Sequence, residues 1–411
     1  MHPTPTRFLL AASPAERHAL LASTLGWMLD GMDVTLYAMV IGELLRELHL
    51  STAQAGLLAS VTLVASAAGG ILFGIIADRV GRRRALMASI VVYSIFTAAC
   101  GFSQTVWELA LFRFLLGLGM GGEWATGAAL VAETWRPEHR AKALGVMQSG
   151  FAIGYALAAA VTAVILPRWG WRAVFFAGFL PALLTLWIRH GVEESPLWLT
   201  RESRARDTTS PLRNLRAAPY RNFVLITLLM NSAALFAWWG LFTWIPSYLA
   251  LPVEQGGRGL TVAASSVWII IMQVGMWLGY VSFGFISDAL GRKKTYVAYL
   301  FLAAALVPLY ARTEAPRVLL ALGPLLAFFG TGHFTGFGII TSELFPTSFR
   351  ASAMGLTYNF GRALSAAAPW VLGTVAAHRS LSSAFWICGL AFLLAGLLAL
   401  AVPETRGHAL A

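Results

Sequence analysis

Six ionisable residues fall inside long apolar runs of this chain: Asp30, Asp33, Arg113, Glu123, His333 and Arg362. A charged side chain in an apolar medium costs about 2.5–3.5 kcal/mol on insertion scales, so each is a site candidate. Asp30 and Asp33 stand i, i+3 and share one helix face. Two carboxylates in a low dielectric repel, and either can hold a proton instead of a charge, which is what a proton carrier requires. Arg113 does not readily lose its proton and needs an acid partner; Asp33 is the expected one. Protonating Asp33 would release Arg113 and let a proton set the conformation. A static structural ion pair is the other reading. Arg362 lies about twelve residues into its run, with Asn359 one turn before it. An unpaired cation there is a natural anchor for a carboxylate, unless it pairs with Glu123 or with an aspartate of the other half of the chain.

Further polar residues outline a possible cavity wall: Gln148 with Tyr155, Asn231 with Trp238, then Gln273, Trp277, Tyr280 and His333. Spacings of four or seven put the residues of each of the first three sets on one helix face, and His333 stands by itself. Aromatic stripes also serve as packing or as an interfacial belt. His333 is either a second proton site or a hydrogen-bonded packing histidine. Gly117-Leu-Gly119-Met-Gly-Gly122 fits G-x-G-x-x-G, but the dinucleotide reading needs a preceding strand and a βαβ unit, and neither is present. Close helix packing through small residues explains it instead. The serines and histidines make no nucleophile–base constellation, and there is no P-loop. Cys100 and Cys388 lie apart in apolar runs, so no metal site or disulfide is expected. The chain reads as no enzyme and calls for no cofactor or metal.

The elements that carry these residues follow from composition. Of 411 residues, 58% are hydrophobic and 12% charged, against about 25% charged in soluble domains. Twelve apolar spans are expected near 19–41, 54–77, 84–102, 106–131, 142–166, 171–190, 222–250, 263–287, 294–311, 316–342, 351–376 and 381–402. Each can cross a bilayer core of about 30 Å. In lipid the backbone must satisfy its own hydrogen bonds, so the spans are helices. The fold class is all-α membrane protein. The first run contains Asp30 and Asp33, so it reads as a retained helix rather than a cleaved signal.

The net charge of +11 is spread in clusters between the apolar runs, which argues against nucleic-acid binding. With the N-terminus cytoplasmic, 21 of the 30 Lys and Arg face the cytoplasm, seven face outward, and two, Arg113 and Arg362, are inside spans. That bias places both termini in the cytoplasm. The longest polar stretch, 191–220, divides the chain into bundles at 1–190 and 221–411. Arg83, Arg84 and Lys294 suit anionic membrane lipids.

One offset, 210 residues, relates two separate motifs. Gly74-Ile-Ile-Ala-Asp78-Arg79-Val-Gly81-Arg82 recurs as Gly284-Phe-Ile-Ser-Asp288-Ala-Leu-Gly291-Arg292, and Glu133, Arg140 and Gly145 recur as Glu343, Arg350 and Gly355. A shared offset of this length marks an internal duplication. An even number of spans per copy gives two six-helix halves of the same topology, related by a pseudo-two-fold axis along the membrane normal. Asp78, Asp288, Glu133 and Glu343 sit at helix C-termini and Arg140 and Arg350 at N-termini, the wrong ends for the helix dipole. They are expected to pair across helices as a gate on the cytoplasmic side; the contrary reading is ordinary loop charges facing water.

These loops resemble the signature of the major facilitator superfamily, and the resemblance covers nearly the whole chain. Ala289 departs from the pattern, which has Arg there. Asp30-Gly-Met-Asp33 resembles the first-helix motif of aromatic-acid:proton symporters. Arg113-Phe-Leu-Leu-Gly117 resembles the fourth helix of sugar porters, whose coupling pair matches Asp33 and Arg113. Tyr358-Asn359-Phe-Gly361-Arg362 and Gly121-Gly122-Glu123-Trp124 resemble sialate, monocarboxylate and metabolite symporters. The resemblance implies a monomeric inner-membrane symporter. It would take up a small organic anion with protons, driven by a gradient. Pro403-Glu404-Thr405-Arg406 and Glu194-Ser-Pro196 resemble sugar-porter tags and keep a sugar or polyol porter open. An exporter of drugs or metabolites, or a membrane sensor that binds without transporting, would also fit these residues.

Overall fold

The computed structural model describes residues 12–195, 199, 218–345 and 350–406. Most of the 191–220 linker is thus outside the described residues, as are the side chains of Asp78, Arg140 and Arg350. Among the described residues there is helix and no strand.

The helices are α1 (Pro14–Glu47), α2 (Thr52–Val80), α3 (Arg82–Cys100), α4 (Val106–Thr134), α5 (Pro137–Ala177), α6 (Pro181–Gly191), α7 (Ala218–Ala250), α8 (Val262–Leu290), α9 (Arg292–Arg312), α10 (Pro316–Leu344), α11 (Arg350–Ser365), α12 (Ala367–His378) and α13 (Leu381–Ala399). Local sequence sets several starts. Ser13 with Glu16, Ser51 with Gln54 and Thr105 with Glu108 form capping boxes on α1, α2 and α4. Nine helical stretches among the described residues are long and apolar enough to cross a membrane. One of them, Lys142–Ile188, holds two expected spans, joined through a non-helical Gly170 (φ 73°). The span expected at 351–376 is broken between α11 and α12.

Small residues let helices meet backbone to backbone. A Cβ at Gly121 would strike the Ser66 carbonyl of α2, and one at Gly275 the Pro324 carbonyl of α10. The glycine run of α4 is therefore a packing seam.

The two halves pack along α2 with α12, α5 with α8, and α1 with α7. At the end opposite the chain termini they are bonded together. Thr52 Oγ1 donates to Gly373 O at 2.7 Å, the Trp370 N–H to Ser60 Oγ at 3.2 Å, and Tyr155 OH to Phe242 O at 2.7 Å. Toward the termini end, a Cβ added at Gly74, Gly145, Gly284 or Gly355 would meet nothing within 4 Å. The bonds just named close the molecule at the far end.

Candidate functional site

α1, α4 and α11 deliver three charges to the middle of the molecule. Asp30, Glu123 and Arg362 are all buried, with exposures of 1%, 0% and 2%. Asp30 and Glu123 each lie within electrostatic reach of Arg362, which belongs to the other half. Gly26, one turn before Asp30 on α1, has no side chain where Glu123 packs; a Cβ there would run into Glu123 Oε1. Neither carboxylate accepts a hydrogen bond among the described residues, and Arg362 Nε donates none. No ion pair within 4.0 Å joins the three. Two acids and a base therefore face one another without direct contact. Unmatched charge buried this way is costly unless a proton or a bound ion completes it. The arrangement bears out neither a lone Arg362 nor a closed Arg362–acid pair.

The expected contact between Asp33 and Arg113 does not form. Asp33 turns into its own half, where its Oδ2 accepts from Thr97 Oγ1 at 3.0 Å. Arg113 sits one turn further along α1, its guanidinium 3.7 Å over the Tyr37 ring and its Nε donating to Leu58 O at 3.1 Å. Cys100 lies within reach of both charges. The reason is helical register: α4 brings Arg113 to the level of Tyr37, where an aromatic face and a carbonyl receive it.

Tyr358, one turn before Arg362, stacks on Trp124 of α4 with centroids 4.5 Å apart and an interplanar angle of 19°. The Trp124 indole N–H donates to Gln148 Oε1 at 3.1 Å. Gln148 is also within hydrogen-bond reach of Tyr280 on α8. Asn359 faces Gly70 of α2, its Oδ1 3.3 Å from where a Cβ would be. Asn231 donates to Thr357 O inside its own half at 3.3 Å, while its Oδ1 accepts no bond among the described residues. Trp238 donates to Thr331 Oγ1 at 3.2 Å and presents its ring to Phe151 across the interface, 5.5 Å between centroids. Gln273 is buried with Oε1 unbonded among the described residues.

Two expected wall residues are placed elsewhere. Trp277 is 40% exposed, on the outward stripe of Val274 and Leu278. His333 is enclosed by Tyr296, Phe334 and Phe392 within its own half. Trp277 was read from a face without knowing which way its helix is turned, and the aromatic enclosure of His333 fits the packing reading rather than the proton site. Trp124 and Tyr37 were missed as site residues. Tyr37 stands i+4 from Asp33, so spacing pointed to it; Trp124 follows Glu123 directly and lies about 100° round the helix from it, so no spacing singled it out.

At the termini end the charge clusters pair within each half. Arg82 bonds Glu133 at 3.1 Å, and Arg292 bonds Glu343 at 3.3 Å and also Asp288. Arg79 is exposed. Gly81 and Gly291 adopt φ of 103° and 106°, the left-handed region where glycine is favoured. The duplication extends to residues the motif left out. Glu194 accepts from the Arg82 N–H at 2.8 Å, and Glu404 from the Arg292 N–H at 2.8 Å. Ser195 donates to Glu133, and Thr405 to Glu343 at 2.6 Å. Glu194 and Glu404, like Ser195 and Thr405, are again 210 residues apart. Where Ala289 breaks the motif, Arg406 supplies a guanidinium to the Ala289 carbonyl at 3.0 Å. Burial raises the Glu404 carboxyl, but the N–H groups of Arg406, Arg292, Lys293 and Thr405 outweigh it and hold it below the ordinary glutamate range.

Known proteins resemble this chain over nearly its full length. A family model described as Major Facilitator Superfamily matches residues 24–282 and 249–410. The chain is 35% identical to a probable 4-methylmuconolactone transporter of Cupriavidus pinatubonensis, over 97% of this chain and 93% of that protein. It is 30% identical to a cis,cis-muconate transport protein of Acinetobacter baylyi, over 94% of each. Among solved structures, the xylose transporter of E. coli in its inward open conformation aligns with TM-score 0.76 at 21% identity, covering 95% of this chain and 97% of that one.

Proposed function

The chain belongs to the major facilitator superfamily, whose members are membrane transporters rather than enzymes, and on that premise we propose that it carries a small organic acid inward together with protons. Twelve spans in two six-helix bundles rock about the central charges, with both termini cytoplasmic, in the inner membrane, as a monomer.

The observation that carries this reading is the uncontacted triad of Asp30, Glu123 and Arg362. A guanidinium is a poor proton carrier, so the proton traffic falls to the two acids. With both acids ionised, the guanidinium is held by them and offers a substrate little. With protons on the acids, the same cation is free for an arriving carboxylate. Binding of proton and acid therefore support one another, which is symport. Release toward the termini end lets the protons leave and the triad re-form. Asp30 and Glu123, rather than Asp33 and Arg113, are the coupling residues in this scheme. The acid-transporting relatives support the substrate class.

Proteoliposome flux tests it. Asp30→Asn is expected to abolish accumulation driven by a proton gradient while leaving exchange between labelled and unlabelled acid. Arg362→Ala is expected to abolish transport of acids altogether. Accumulation that survives Asp30→Asn refutes the coupling, and acid affinity unchanged in Arg362→Ala refutes the anchor. Competition by neutral sugars instead of acids would favour a sugar porter.

A further inference from the structure

Arg113 has no role in that scheme, yet it is a buried cation at 2% exposure. Its Nε is bound to Leu58 O and its plane covers Tyr37, and no carboxylate pairs with it among the described residues. Two neutral neighbours do not neutralise a desolvated charge. Arg113 also lines a narrow cavity between the halves, with Thr35, Tyr155, Trp238, Trp239 and Phe242 among its other walls. The cavity lies on the far-end side of the triad. Its α1 wall begins at Val34, one turn beyond Asp30. From Asp30 to Tyr37 the helix rises about 10 Å, so the two guanidinium levels are separated by about the length of a small molecule.

We propose that Arg113 and this aromatic cavity form a second anion-binding subsite, and that the transported acid is a dicarboxylate held between Arg362 and Arg113. This rests on the reading of Arg362 as a carboxylate anchor. Each guanidinium takes one carboxylate through its paired N–H groups. As it stands the cavity has room for little more than a water, so its walls part to admit the diacid, and Trp238, Trp239 and Phe242 then cover the carbon chain. Two buried cations, one in each half, then need two anionic groups on one ligand. A diacid so held ties the N-terminal half, through Arg113, to the C-terminal half, through Arg362.

The test is a binding titration on the full-length protein in nanodiscs, read by the fluorescence of the tryptophans that line the cavity. Terephthalate is compared with benzoate, and adipate with hexanoate. Wild type is expected to bind each diacid at least about tenfold more tightly than its monoacid. Arg113→Gln is expected to lower diacid affinity at least about tenfold more than monoacid affinity, and Arg113→Lys to retain part of the preference. Equal losses for both classes would mean that Arg113 only supports the fold, and would overturn the proposal. So would a wild type that does not prefer the diacids. If wild type prefers diacids but Arg362→Gln leaves all four affinities intact, the carboxylate anchor fails and the two-ended site fails with it. If no acid binds wild type at all, the organic-acid reading itself falls.

Discussion

At the scale of single residues, what matters is that the central charges are brought near one another but not into contact. Asp30, Glu123 and Arg362 are each too buried to be left to water, and none is neutralised by a bonded partner among the described residues. Glu123→Gln fixes one acid in a form that cannot ionise. It is expected to leave acid exchange but cut gradient-driven accumulation to near background, measured as the steady-state ratio across vesicles at pH 6 and pH 8. Accumulation at the wild-type level in Glu123→Gln would exclude it from coupling. Gly26→Ala is a sharper probe, because its Cβ runs into the tip of the Glu123 side chain and otherwise meets Ile90 Cδ1 at an ordinary 3.6 Å. The fold should survive while Glu123 is displaced. The expected result is transport lowered about tenfold or more with a melting temperature within a few degrees of wild type, and a loss of stability in proportion to transport would contradict it.

At the scale of elements, each half carries a clasp at its termini end. A segment beyond the last helix of that half caps the helix that follows the left-handed glycine, and its neighbouring hydroxyl holds the glutamate that pairs with the motif arginine. Side-chain caps of this kind contribute about 1 kcal/mol. Glu404 lies below the ordinary glutamate range when folded, so its contribution is present at neutral pH and is lost only as pH falls through that lowered value. Glu404→Gln should therefore melt below wild type at pH 7, and the gap should narrow only below the ordinary glutamate range and close once the pH is below Glu404's own lowered value. A gap that persists undiminished at acid pH would mean that the charge is not what holds the clasp.

At the scale of the whole molecule, hydrogen bonds among the described residues join the two halves at the end away from the termini. The bonds between α2 and α12 at Thr52 and Ser60 are the closed side. Alternating access requires them to break on every cycle. Thr52→Cys and Thr374→Cys, joined by a short reducible bifunctional thiol cross-linker, should abolish transport and reductant should restore it, assayed as uptake before and after treatment; Gly373 itself is left in place because a Cβ there would lie 2.3 Å from the Thr52 carbonyl. Full activity in the cross-linked form would show that the far end does not open. The native Cys100 and Cys388 are buried and do not interfere.

The sequence by itself determined the helical class, the duplication at 210 residues and the identity of the buried charges. Apolar runs of span length must close their hydrogen bonds internally, and a charge inside such a run is conspicuous at any fold. It also pointed to Asp30, Glu123 and Arg362 as residues with chemistry to do. What it left open was which of these charges meet. Tertiary structure decided that Asp33 bonds Thr97, that Arg113 lies over Tyr37, and that Trp277 and His333 stand away from the triad. Those outcomes depend on the rotation and depth of each helix in the bundle. Helix rotation and depth are fixed by backbone contacts such as Gly121 against Ser66, and these belong to pairs of elements rather than to any one stretch of chain.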